Sequence, residues 1–114
     1  MKFVSIFKFD PTGQSERHDE EQMAAMGRLI GEMRAAGVLV DTGGVMPNGA
    51  SMRVQRTGAQ FAVTDGPFTE TKEVVGGFAV LDVPSRDEAL AWTRRFLDCA
   101  GDGITELFEV TSPP

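Results

Sequence analysis

The chain has 114 residues, 41% of them hydrophobic, and a formal net charge of −6 with a pI near 4.7. That length predicts one domain over residues 1–114 with a single modest core, and the acidic balance, without a lysine or arginine cluster, excludes a phosphate-seeking nucleic-acid or anionic-membrane binder. No apolar run reaches the roughly 18–20 residues of a membrane span, Cys99 alone forms no internal disulfide, and without an apolar leader segment the chain is expected to be cytoplasmic.

Lys2–Phe9 reads as a strand in which Phe3, Phe7 and Phe9 alternate with Val4 and Ile6, so both of its faces are apolar and both are expected to be covered. Asp10-Pro11-Thr12-Gly13 ends it, and a loop runs to His18. A helix is predicted from Asp19, an N-cap with Gln22 at the capping-box position and Glu20 and Glu21 in the dipole-favoured first turn. Met23, Met26, Ile30 and Met33 form its expected buried stripe. Beside them Ala24, Gly27, Gly31 and Ala35 suggest close approach to another element, and Gly37 supplies the stop. Val38–Val45 is a second strand, Pro47-Asn48-Gly49 a turn, and Met52–Gln55 with Gln60–Thr64 a hairpin joined around Thr57-Gly58.

The chain then turns at Asp65-Gly66-Pro67, carries Phe68, Glu70, Lys72 and Glu73, and enters a strand predicted over Gly77–Val83. Phe78 and Val80 lie on one face of that strand and Ala79, Leu81 and Val83 on the other. Ser85 caps a second helix with Glu88 at the capping-box position. Ala89, Trp92, Phe96 and Cys99 form its stripe, supported by Leu90 and Leu97, and Gly101 or Gly103 ends it before a last strand over Ile104–Val110. The order describes an α+β fold: a ferredoxin-like split βαβ with an inserted hairpin. Two helices cover one face of such a sheet, so the second apolar face calls for a second copy of the chain.

Candidate chemistry concentrates in the central loop. Asp65 is explained by turn formation, in which aspartate accepts backbone N–H bonds, and the same carboxylate can face a cleft as general base or ligand acceptor. Glu70 and Lys72 read either as a solvated charged cluster or as a proton-handling carboxylate and an anion-binding amine. Phe68 reads first as an anchor for its loop, and with Phe7, Met26 and Phe78 it forms a candidate apolar ligand pocket. Cys99 reads as a small hydrophobe. No His/Cys spacing suggests a metal, and no glycine-rich pattern suggests a nucleotide cofactor, so neither is expected.

Asp65-Gly66-Pro67-Phe68, followed by Glu70, Lys72-Glu73 and Gly76-Gly77-Phe78, resembles the signature of the YCII-related proteins, in the branch named DGPF after that tetrapeptide. Ala35-Ala36-Gly37-Val38-Leu39, Asp82-Val83-Pro84, Asp87-Glu88-Ala89-Leu90 and Trp92 extend the resemblance along nearly the whole chain. It implies pairing of two ferredoxin-like sheets face to face in a dimeric α+β barrel. Founding members carry a His and an Asp proposed as a catalytic pair. Here the only histidine, His18, precedes the first helix and the corresponding helical position falls near Met26, so that chemistry does not carry over. Asp41 also departs from the small residue expected of the DGPF branch.

Two classes of function follow from the resemblance. The first is a homodimer binding a small molecule near the Asp65–Phe78 loop, with a lyase- or isomerase-like step conceivable. The second is a non-enzymatic accessory protein partnered with an extracytoplasmic-function sigma factor.

Overall fold

The computed structural model describes residues 1–10, 20–45, 51–66 and 73–111. In chain order these form β1 (Lys2–Phe9), α1 (Glu20–Ala35), β2 (Leu39–Gly44), β3 (Met52–Thr57), β4 (Gln60–Asp65), β5 (Val74–Asp82), α2 (Arg86–Ala100) and β6 (Ile104–Glu109). Four strands make an antiparallel sheet in the order β2-β5-β1-β6, and β3 and β4 pair separately. With that hairpin set aside, this is the ferredoxin-like α+β arrangement that the alternation of strands and helices predicts.

Strand register explains the two-sided β1. Phe3 pairs Leu81, Ser5 pairs Ala79 and Phe7 pairs Gly77, and this side of the sheet faces the helices. Val4 opposes Val80 and Ile6 opposes Phe78 on the other side, where the residues are half-buried and, among the described residues, no element is stacked on them. On β6 the same uncovered side carries Ile104 and Phe108, 50% and 54% exposed. Between them Glu106, opposite Ile6 in the register, forms an ion pair with Lys8. The hydrogen bond and charge of Glu106 hold the Lys8 ammonium above the ordinary lysine range, against a small opposing effect of burial.

The buried core is Phe3, Leu29, Met33, Val38, Leu81, Val83 and Ala89. This corrects the expected α1 stripe. Leu29 is the most buried residue of α1, and Met23 is 63% exposed. On a helical wheel Met23 lies about 80° from Met33, which puts it on the flank of the Leu29–Met33 line. A second correction concerns Gly27 and Gly31. A Cβ at either would meet nothing within 4 Å, so the small-residue stripe faces open space and marks no close packing. The strand entering at Gly77 also begins earlier, at Val74, which puts Gly76-Gly77 inside β5. Its pairing with β1 runs through a register shift at Phe7/Lys8, so Val74 and Val75 still find partners in Phe9 and Lys8.

Local signals account for the helix ends that are described. The Ser85 hydroxyl accepts from the Glu88 backbone N–H at 3.2 Å, and Gly101, at φ 92°, closes α2 in a conformation that costs other residues strain. Ser85→Ala is expected to lower the unfolding free energy by about 1 kcal/mol, read as a shifted urea midpoint at unchanged slope. Asp19 and His18 lie outside the described residues, as does the Pro47-Asn48-Gly49 turn. The two helices are tied at both ends: Arg95 Nη2 donates to Glu32 Oε2 at 2.7 Å, and Gln22 Nε2 donates to the Cys99 carbonyl at 2.8 Å. Among the described residues no helix is long and apolar enough to cross a membrane.

The β3–β4 hairpin is amphipathic. Its register sets Met52, Val54, Arg56, Phe61, Val63 and Asp65 on one face, and Arg53, Gln55, Thr57, Gln60, Ala62 and Thr64 on the other. Gly58, at φ 63°, fills the first position of its two-residue loop, where a II′ turn places glycine. Every residue of both strands is exposed.

Candidate functional site

Burial in the two-layer body is uneven along the strands. The core gathers at the Phe3 end. At the Phe9 end the residues between sheet and helices are half-buried or exposed, and a cavity of about 1020 Å³ opens there. That volume is at the upper end for small-molecule sites. Phe7 and Phe9 of β1, Met23 and Met26 of α1, and Phe96 and Cys99 of α2 form its walls. The Phe7 ring meets Phe96 edge-on at 5.3 Å between centroids, which ties the sheet to α2 at the cavity wall.

Glycines make the space. Gly44 of β2 pairs directly with Gly77 of β5, and Gly77 pairs with Phe7 on the helix-facing side. Together with Gly76 they leave this part of the sheet without side chains, and all three line the cavity. The glycines are not interchangeable. A Cβ at Gly76 would come within 2.7 Å of the Phe9 ring, and one at Gly77 within 3.0 Å of the Gly43 carbonyl oxygen. A Cβ at Gly44 would meet only the Gly76 carbonyl oxygen, at 4.0 Å.

Polar groups in the lining are few: the side chains of Ser5, Gln22, Thr42, Thr93 and Cys99 and the indole N–H of Trp92. The Thr42 hydroxyl donates to the Phe78 carbonyl at 2.9 Å and keeps lone pairs with which to accept from a ligand. The described lining contains no Asp, Glu, His, Lys or Arg. A charged ligand would lose its hydration there without a counter-charge from these walls, which makes them most favourable to a neutral, largely apolar molecule. Among the described residues no group of three or more His, Cys, Asp or Glu gathers as a metal site.

The candidate residues named from the sequence divide three ways. Phe7 and Met26 line the cavity, and Phe78 borders it from β5 while its side chain lies with Ile6 on the opposite side of the sheet. Asp65 ends β4, exposed, and does not line it. Phe68, Glu70 and Lys72 lie outside the described residues. Sequence reasoning did not single out Phe9, Phe96, Thr42 or Gly44 for the pocket. The available signal was the recurrence of a Gly-Gly pair in two strands, Gly43-Gly44 and Gly76-Gly77, which the sheet brings side by side.

Comparison with known proteins places the chain. The family model for the YCII-related domain matches residues 1–111. The chain belongs to the YCII-related family. This YCII-related protein is also 34% identical, over 80 residues, to an uncharacterised protein of Rhizobium meliloti (strain 1021), a match covering 70% of the chain and 64% of the relative's length. Among solved structures it is similar to the 5-chloro-2-hydroxyhydroquinone dehydrochlorinase of Burkholderia phenoliruptrix, seen in complex with 2,5-dihydroxybenzoquinone. That match has a TM-score of 0.53 and 19% identity, and covers 96% of this chain and 94% of the other. At that identity the likeness establishes the shared fold.

Proposed function

We propose that this YCII-related protein is a homodimer that binds a neutral, aromatic-sized small molecule in each subunit, between the helix layer and the sheet. The observation that carries the reading is the cavity itself: about 1020 Å³, glycine-floored, walled by Phe and Met side chains and without a charged group in its described lining. The uncovered side of the sheet, with Val4, Ile6, Phe78 and Val80, supports pairing of two copies face to face. The structural neighbour, a dehydrochlorinase in complex with a single-ring quinone, makes a ring compound a reasonable ligand class. A lyase- or isomerase-like step at this site would draw its proton-transfer groups from Asp65, Glu70 and Lys72, because the described walls offer no general base. No described feature favours the sigma-factor-linked reading.

The test uses two probes on the intact protein. N-phenyl-1-naphthylamine, neutral and fluorescent in apolar surroundings, is expected to bind one per chain. 2,5-Dihydroxybenzoquinone, an acid ionised near neutral pH, is expected to bind more weakly at neutral pH than at acidic pH. Absence of any saturable binding by the neutral probe would overturn the reading. Tighter binding of the ionised quinone, lost in Lys72→Gln, would instead make the central loop the principal ligand contact.

A further inference from the structure

The β3–β4 hairpin is a two-stranded ribbon with a largely apolar face that nothing among the described residues covers. Met52, Val54, Phe61 and Val63 are 60–70% exposed, higher than the large apolar residues of the sheet. An isolated two-stranded hairpin is marginal in water and needs a surface on which to lay its apolar face. Its own body does not supply one. The molecule measures 45 × 43 × 18 Å, and the short dimension has room for the sheet and its helices but not for a third layer. The radius of gyration is 16.1 Å, against about 13 Å for a compact chain of this length. The ribbon therefore extends sideways from the two-layer body instead of stacking on it.

We propose that this hairpin is an arm that grips a second copy of the chain, laying its Met52/Val54/Phe61/Val63 face on the β6 margin of that copy's uncovered sheet side. The proposal rests on the homodimer reading and adds the surface that holds the pair.

Two matches select a second copy. The first is pattern and charge. The receiving margin reads Ile104, Glu106 and Phe108, apolar residues around a carboxylate ion-paired with Lys8, and the arm's face likewise sets one charge of each sign among its apolar residues, Arg56, stacked 5.9 Å from the Phe61 ring centroid, and Asp65 opposite Met52. The arm also holds two arginines, Arg53 and Arg56, against one acid, Asp65, in a chain whose net charge is −6. The basic arm is thus drawn to the acidic remainder of another copy.

The second match is area. The four apolar side chains present about 450 Å², the scale at which a patch marks an interaction site. Around a two-fold axis each copy gives one arm and receives one, so the contact closes. Two such arms, each covering a like area of partner, bury on the order of 1,800 Å² together, within the range of stable interfaces.

The experiment replaces Phe61 by the photo-crosslinker p-benzoylphenylalanine in a mixture of heavy-nitrogen-labelled and unlabelled chains. Irradiation is expected to yield mixed-label dimers, with crosslinks mapped to Ile104–Glu109. Crosslinks confined to one chain, or to another region of the second copy, overturn the proposal. A second measurement is the dimer dissociation constant of Val54→Ser/Phe61→Ser by sedimentation. It is expected to rise at least tenfold while the helical circular dichroism stays that of the parent. An unchanged constant in a dimeric protein removes the arm and leaves the homodimer standing. A monomeric parent removes both.

Discussion

Leu29→Ala is expected to lower the unfolding free energy by about 2–5 kcal/mol, a large share of the 5–15 kcal/mol typical of a whole domain. Leu29 is 3% exposed and, with Met33, carries the contact of α1 with the sheet and α2. Truncation leaves a void that neighbours on three elements, Phe3, Leu81 and Ala89, have to close. Denaturant titration with fluorescence from the single tryptophan, Trp92, which packs against the same core, provides the readout. The matched control is Met23→Ala in the same helix, which removes a side chain already 63% in solvent. A loss for Leu29→Ala no greater than that for Met23→Ala would mean that α1 is not anchored at Leu29.

Gly44→Leu is expected to abolish ligand binding while sparing the fold. Gly44 does not have positive φ, and a Cβ built there meets a single atom at the edge of van der Waals contact, so the backbone accepts a side chain. That side chain projects from the cavity floor toward Phe7 and the Met26 wall. The dissociation constant of N-phenyl-1-naphthylamine is expected to rise about 100-fold, equivalent to roughly 2.7 kcal/mol, with the urea midpoint unchanged. Undiminished binding would move the ligand out of the helix–sheet cavity. A fall in stability comparable to that of Leu29→Ala would mean that the floor tolerates no side chain and that the cavity belongs to the core.

The elements were legible because their signals are local. Alternating phenylalanines in β1, the Ser85 cap of α2 and the Gly58 turn each act within a few residues, and the strand order follows from helix-mediated crossovers. The stripe of α1 was misread at Met23 because four methionine and isoleucine side chains at helical spacing are compatible with two neighbouring buried lines. Only the position of the sheet selects the one through Leu29 and Met33. The cavity was legible in part. Phe7, Met26 and Phe78 stand out as apolar, but the floor is made by residues that have no side chain. Their meaning depends on Gly44 and Gly77 becoming neighbours across more than thirty residues of chain. Asp65 stood out through its turn chemistry, which explains the residue without requiring it to face the cavity.

The uneven burial along the strands separates what this fold must keep from what it can change. Substitutions at the Phe3 end draw directly on a margin of stability that is small in any protein. Substitutions at Met23, which is largely exposed, and at Met26 and Phe96, which are only partly buried at the cavity, cost less of that margin. The cavity walls can therefore change one residue at a time without a compensating change elsewhere. A scaffold divided in this way is suited to descendants that share an architecture and differ in the compounds they hold.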